Sequence, residues 1–140
     1  MSRGLLLAVL LIAGCAQLPP TPQDIRAKKF EILPDKAAIY IVRSDPDFNR
    51  VQATIVLDDA AMITTYAGTY YRWEVAPGRH RIAGFASDSS FITLDTAPGR
   101  IYFVRQRLSP WSFSPLSLFN VVGEQEGRAE VMRAEMVKGY

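Results

Sequence analysis

The sequence predicts a mainly β protein, an antiparallel β-sandwich of about seven or eight short strands with one C-terminal helix. Three observations carry this expectation. Between residues 37 and 122, β-branched and aromatic runs are separated by turn residues roughly every eight to twelve positions, the spacing of a sandwich or barrel. The tetrapeptide Ala-Pro-Gly-Arg occurs at 76–79 and again at 97–100, each time between two such runs. Only residues 124–137 have a helical texture, enough for a single helix covering a face or edge of the sheet. The 140 residues, 49% hydrophobic and 21% charged, make one domain of ordinary globular composition.

The chain opens Met1-Ser2-Arg3-Gly4 and continues with an apolar run from Leu5 to Ile12. A basic start, a short apolar run and small residues before a break are the pattern of a secretory signal peptide, expected over 1–14. The run is far short of the ~20 residues a membrane-spanning helix needs. The stretch Ile12-Ala13-Gly14-Cys15 resembles the lipobox of bacterial lipoproteins. That resemblance implies cleavage between Gly14 and Cys15, a diacylglyceryl thioether on Cys15 and acylation of the new amino terminus. Each buried acyl CH₂ contributes ~0.8 kcal/mol, so two or three chains hold a protein on a membrane where one does not. Ala16 and Gln17 follow Cys15 with no Asp. By analogy with Gram-negative lipoproteins, this favours the outer membrane, with the domain facing the periplasm.

Residues 15–36 read as the lipidated Cys followed by a Pro-rich tether. Pro19, Pro20, Pro22 and Pro34 favour extended chain, with at most a helical turn or two between Asp24 and Phe30. The folded domain is expected over 37–140. Residues 37–43 (AAIYIVR) are apolar on both faces, as in a fully covered strand. In 51–58, Val51, Ala53, Ile55 and Leu57 alternate with polar residues, giving one buried face. Asp58-Asp59 makes a tight turn into 60–66. In 70–75, Tyr71, Trp73 and Val75 point one way and Tyr70, Arg72 and Glu74 the other. Pro77-Gly78 and Pro98-Gly99 have the type II turn signature, which predicts two equivalent hairpin-like turns. Further strands are expected at 90–96, 101–108 and 119–122. In the last segment Gly127 weakens the first turn, so the helix is expected to start near Arg128, with Ala129, Met132, Met136 and Val137 on one side.

Three stretches resemble a family of small bacterial lipoproteins built on a domain of unknown function. They are Ala38-Ile39-Tyr40-Ile41-Val42-Arg43, the aromatic strand from Tyr70 through Pro77-Gly78-Arg79-His80, and Glu124-Gln125-Glu126-Gly127-Arg128-Ala129-Glu130. The Pro-Gly-basic-His turn is also similar to that of PEGA-type β-sandwich modules. Asp58-Asp59 stands where such domains usually carry Asp-Gly. The resemblance implies a fold and a compartment, and no enzymatic activity.

Sixteen basic against fourteen acidic residues leave no broad field for nucleic acid, so no nucleic-acid partner is expected. One Cys forms no internal disulfide, and one Cys with one His makes no zinc site without carboxylates. The chain has neither a G-x-x-x-x-G-K-[ST] loop nor a G-x-G-x-x-G after a strand, so no cofactor or metal is expected. Any hydrolytic triad would run through His80, with Ser87, Asp88, Ser89 and Ser90 the nearest partners in sequence. The alternative is a His80 that caps its turn or packs on Trp73. Asp45/Asp47, Asp58/Asp59 and Glu124/Glu126/Glu130 read as turn-forming acids. Residues 109–118 (SPWSFSPLSL) hold Trp111 and Phe113, which either close one end of the sandwich or touch a membrane, ligand or partner. Strand alternation would put some of Arg43, Arg50, Arg72, Arg79, Arg81, Arg100, Arg105 and Arg107 on one solvent face, which either contacts anionic lipid headgroups or polysaccharide or is simply solvated. The expected function is non-catalytic: a lipid-anchored envelope module that binds or assembles with an envelope protein or cell-wall component. The alternatives are a small hydrolase using His80 and a ligand-binding domain using Trp111 and Phe113.

Overall fold

The computed structural model describes residues 19–86, 88–110 and 116–138. Among them, nine strands run in chain order as β1 (Ala37–Arg43), β2 (Ala53–Leu57), β3 (Ala61–Thr65), β4 (Thr69–Val75), β5 (Gly78–Gly84), β6 (Phe91–Thr96), β7 (Ile101–Leu108), β8 (Ser117–Val122) and β9 (Glu135–Met136). Helix α1 (Pro22–Ala27) precedes β1, and helix α2 (Glu124–Arg133) joins β8 to β9. A five-stranded sheet, β8-β7-β1-β4-β9, stacks on a four-stranded sheet, β3-β2-β5-β6. The mainly β, two-sheet fold is the predicted one.

Two strand pairs depart from the antiparallel expectation. β1 runs parallel to β7, and β4 parallel to β9. Parallel neighbours need long crossovers, and the chain supplies one by visiting the second sheet twice between β1 and β7. The same route corrects the two Ala-Pro-Gly-Arg segments. Neither closes a hairpin, since β4 and β7 lie in one sheet and β5 and β6 in the other. Gly99 has φ 67°, as a type II turn asks, whereas Gly78 has φ 142° and is already paired with Thr96 in β5. Asp58 and Asp59 both take positive φ, 48° and 55°, the values of a primed hairpin turn without its usual glycine.

β1 explains the layering. All seven of its residues are buried. Ala37, Ile39 and Ile41 join Ile55, Leu57, Ile63, Ile82, Leu94 and Val104 in the core between the sheets. Ala38, Tyr40 and Val42 face the other way, into a second core with Tyr70, Phe103, Val131 and Ala134. That outer face is covered by α1 and α2.

The stretch around α1, expected within the tether, packs on this outer face. Thr21 caps the helix by accepting from the Asp24 N–H at 3.2 Å, and Pro22 sits in the first turn, where its missing N–H costs nothing. Ala27, Phe30 and Ile32 then pack on the second core. The Tyr40 hydroxyl donates to the Ala27 carbonyl and the Tyr70 hydroxyl to Asp24 Oδ1, both at 2.7 Å. Burial and the Asp24 carboxylate together push the Tyr70 phenol far above its ordinary pKa.

α2 also differs from expectation. It includes Gly127 and buries Gly127, Glu130 and Val131, leaving Ala129 and Met132 exposed. It stops at Ala134, because the Glu135 N–H donates to Gly68 and the Val137 N–H to Tyr70, turning the chain into a strand beside β4.

Candidate functional site

Several expected site residues, Gly14, Cys15, Trp111, Phe113 and Ser87, lie outside the described residues. His80 is described. Its Nδ1 meets Asp58 Oδ2 at 2.7 Å and its Nε2 meets the Ala76 carbonyl at 2.7 Å, while its ring stands edge-on to Trp73 at 5.3 Å. Asp58 Oδ1 in turn accepts from the Arg81 N–H at 2.7 Å. Both ring nitrogens are thus occupied in tying the β2–β3 turn to β5, so neither is presented to a substrate. Of the serines that sequence offered as partners, the described Ser89 and Ser90 follow the other end of the strand. Ser90 accepts from the Gly84 N–H, four residues from His80, which is ~13 Å at the rise of a strand. Replacing His80 with Ala should cost about 1 kcal/mol, because it removes partly exposed hydrogen bonds. Urea unfolding checks this; a loss of several kcal/mol would mean the turn organises more of the sandwich than its contacts indicate.

A polar network at the opposite end of the sandwich was not anticipated. The Arg43 side chain is 0% exposed and its Nε donates to Asp47 Oδ2 at 2.6 Å, with Asp47 1% exposed. The same guanidinium donates to the Thr65 and Asn49 carbonyls. Beside it, Thr65 donates to Gln106 Oε1 at 2.8 Å, and Gln106 Nε2 donates to Ser117 Oγ at 3.0 Å. The Ser117 N–H donates to Asp88 Oδ2 at 2.7 Å, and Ser90 donates twice to Asp88 Oδ1. These groups satisfy one another between the sheets, as buried polar groups must. They fasten loop 44–52, loop 85–90 and the root of the β7–β8 hairpin, where the Ser109 N–H donates to the Leu116 carbonyl.

The arginines do not make one cationic face. Arg43 is buried, whereas Arg105 meets Glu126 and Glu130 beneath α2. Arg72 lies against Glu74 and the Tyr40 hydroxyl. Arg79 pairs with Asp95, Arg81 with Asp59 and Arg50 with Asp45. Among the described residues, no group of three or more His, Cys, Asp or Glu side chains is placed to hold a metal ion.

What the structure leaves open is a face. Among the described residues, the five-stranded sheet has helices on its outer side and the four-stranded sheet has none. Strand register puts Met62 beside Val56, Val56 beside Ala83, and Ala83 beside Phe91, an apolar row across three strand boundaries. Met62 is 55% exposed and Phe91 59%, with Phe85 (50%) just past the end of β5. Arg81 stacks over Phe91 at 4.7 Å. β3 is the edge strand beside this row, its outer backbone groups having no strand partner among the described residues. Exposed apolar side chains gathered in one row, with charge at the rim, are the composition of an interaction surface. Alternation in 51–58 assigned a buried face to Ala53, Ile55 and Leu57, but only the β2–β3, β2–β5 and β5–β6 pairings bring Met62 and Val56 into one row with Phe91.

Neither a protein-family model nor a curated protein matches the chain.

Proposed function

We propose that this protein is a non-catalytic envelope lipoprotein that uses the uncovered face of its four-stranded sheet to hold a protein partner. The observation that carries the reading is the Met62–Val56–Ala83–Phe91 row with Phe85, in which Met62, Phe85 and Phe91 are half exposed or more and Ala83 is buried, on the face that no described helix covers. Exposed aromatic and Met side chains beside an unpaired edge strand suit a protein surface better than a sugar or a nucleotide. The engagement of both His80 nitrogens within the fold supports a binding role over hydrolysis.

Anchoring rests on the sequence Ile12-Ala13-Gly14-Cys15 after the apolar run. Acyl chains on Cys15 would hold the domain at the outer membrane, facing the periplasm, and so raise its local concentration for a membrane-bound partner.

Crosslinking in intact envelopes, followed by mass spectrometry, tests both parts. Wild-type protein should bring down one reproducible protein. Phe91→Ser with Met62→Ser should lose it while remaining folded, since both side chains are exposed. Cys15→Ser should abolish fatty-acid labelling and deplete the crosslink. Retention of the same partner by the Phe91/Met62 variant would sink the sheet-face reading, and labelling that survives Cys15→Ser would sink the anchor.

A further inference from the structure

Helix α1 shortens the distance between the anchor and the fold. The described chain begins at Pro19 and Pro20, which border the cleft, and only four peptide steps separate Cys15 from Pro19. Four steps of extended chain reach no further than ~14 Å. A domain on so short a leash has few orientations open to it, and the side bearing Pro19 must stay near the bilayer.

That side has its own chemistry. The cleft of about 570 Å³ that Pro19 borders is also lined by Lys28, Met132, Arg133, Met136 and Lys138. Met132 is more than half exposed, as is Ile25 on α1. Lys28 is committed to Asp24 at 3.1 Å and to the Ala134 carbonyl. Arg26, Lys29, Arg133 and Lys138 are exposed and form no ion pair among the described residues. Residues 19–30 and 132–138 together hold five basic and two acidic side chains, net +3. Residues 19–138 as a whole hold fifteen basic and fourteen acidic, net +1, which leaves −2 for the remainder. Positive charge therefore concentrates where the chain leaves the fold, and the rest of the domain is negative.

We infer that the α1 and α2-terminal side of the domain lies against the anionic headgroups of the leaflet that holds the anchor, with Met132 and Ile25 entering the interface. The inference rests on the anchoring of Cys15 proposed above. It turns the four-stranded sheet, two layers away, toward the aqueous compartment and so presents the Met62–Phe91 row to a partner. Separation and charge act together: surface electrostatics persist over ~8 Å at physiological salt, within the span the leash permits.

The test uses the full lipidated chain in vesicles of phosphatidylcholine with phosphatidylglycerol. Cys15 carries its thiol in the lipid bond, so Met132→Cys and Met62→Cys each accept one fluorophore, read against quenching by a headgroup spin label. A label at 132 should be quenched several-fold more than one at 62. The difference should shrink in phosphatidylcholine alone, in high salt, and in the Arg133→Glu, Lys138→Glu double variant, whose exposed side chains the fold does not need. Equal quenching at 132 and 62 in acylated protein would overturn the orientation and leave the anchor standing. Protein that carries no acyl mass on Cys15 would remove the anchor, and the orientation with it.

Discussion

Asp47→Ala should destabilise the domain by roughly 3–5 kcal/mol, the usual cost of stripping one partner from a buried ion pair. Both side chains of the Arg43–Asp47 pair are essentially inaccessible, so water cannot replace the lost carboxylate. The Arg43 guanidinium would keep only the Thr65 and Asn49 carbonyls, with no counter-charge. Asp47 also accepts from the Phe48 N–H at 2.7 Å and the Leu108 N–H at 3.3 Å, so the variant frees loop 44–52 from the end of β7 as well. A domain of this size has about 5–15 kcal/mol in total, so the loss would be a large fraction of it. Removing both charges, as Arg43→Met with Asp47→Leu, should cost less than the two single changes added together, because no bare ion remains buried. Urea unfolding of the four proteins closes the cycle. A loss under about 1 kcal/mol for Asp47→Ala would show that the pair is open to solvent, contrary to its burial.

The Arg43 pair marks where sequence reading stopped. Position 43 continues the inward alternation of Ala37, Ile39 and Ile41, which placed its side chain between the sheets. Charge argued the other way, toward solvent, and charge is usually the better guide. What overrides it is Asp47, four residues on across the turn, with Thr65 and Asn49 supplying carbonyls. Those come from separate segments, and no single-strand pattern could reveal their convergence. The strands themselves were legible for the opposite reason: β1 is an unbroken apolar run and β4 an alternating one, both local patterns bounded by turn residues. Pairing order was not local, so the crossings at Pro77-Gly78 and Pro98-Gly99 looked like hairpins. α1 was obscured by its prolines, which read as helix breakers although Pro22 occupies the one turn that accepts it. For the candidate surface, alternation showed only that Ala53, Ile55 and Leu57 share a buried face. That Val56 and Met62 share a row with Phe91, on a face no described helix covers, required the whole topology.

Gly127→Ala should destabilise the protein, although helix propensity argues for a gain of about 0.5–1 kcal/mol. Gly127 lies within α2, its N–H donating to the Gly123 carbonyl at 2.8 Å, so the helix backbone is regular there. Its hydrogen-only side chain meets Phe103. A Cβ at 127 would stand 2.6 Å from Phe103 Cδ1, and nearer still to Cγ and Cβ, a separation that carbon atoms do not tolerate. Phe103 cannot give way easily: it is 1% exposed, with its ring 5.4 Å from Tyr40 and 6.0 Å from Phe30. The helix must lift instead, and that disturbs Val131 and the Arg105–Glu130 pair on the same side. Overpacking of this kind costs about 1–3 kcal/mol, which exceeds the propensity gain. The exposed neighbour Ala129 separates the two effects, since Ala129→Gly should lose only the propensity of about 0.5–1 kcal/mol. Gly127→Ala and Ala129→Gly are opposite substitutions in one helix, and both should lower the urea midpoint. Phe103→Leu should recover little of the loss in the Gly127→Ala background, because leucine keeps the Cβ and Cγ that stand nearest the added methyl. If Gly127→Ala raised the midpoint, α2 would not be seated on Phe103, and the helix layer over the five-stranded sheet would have to be placed differently.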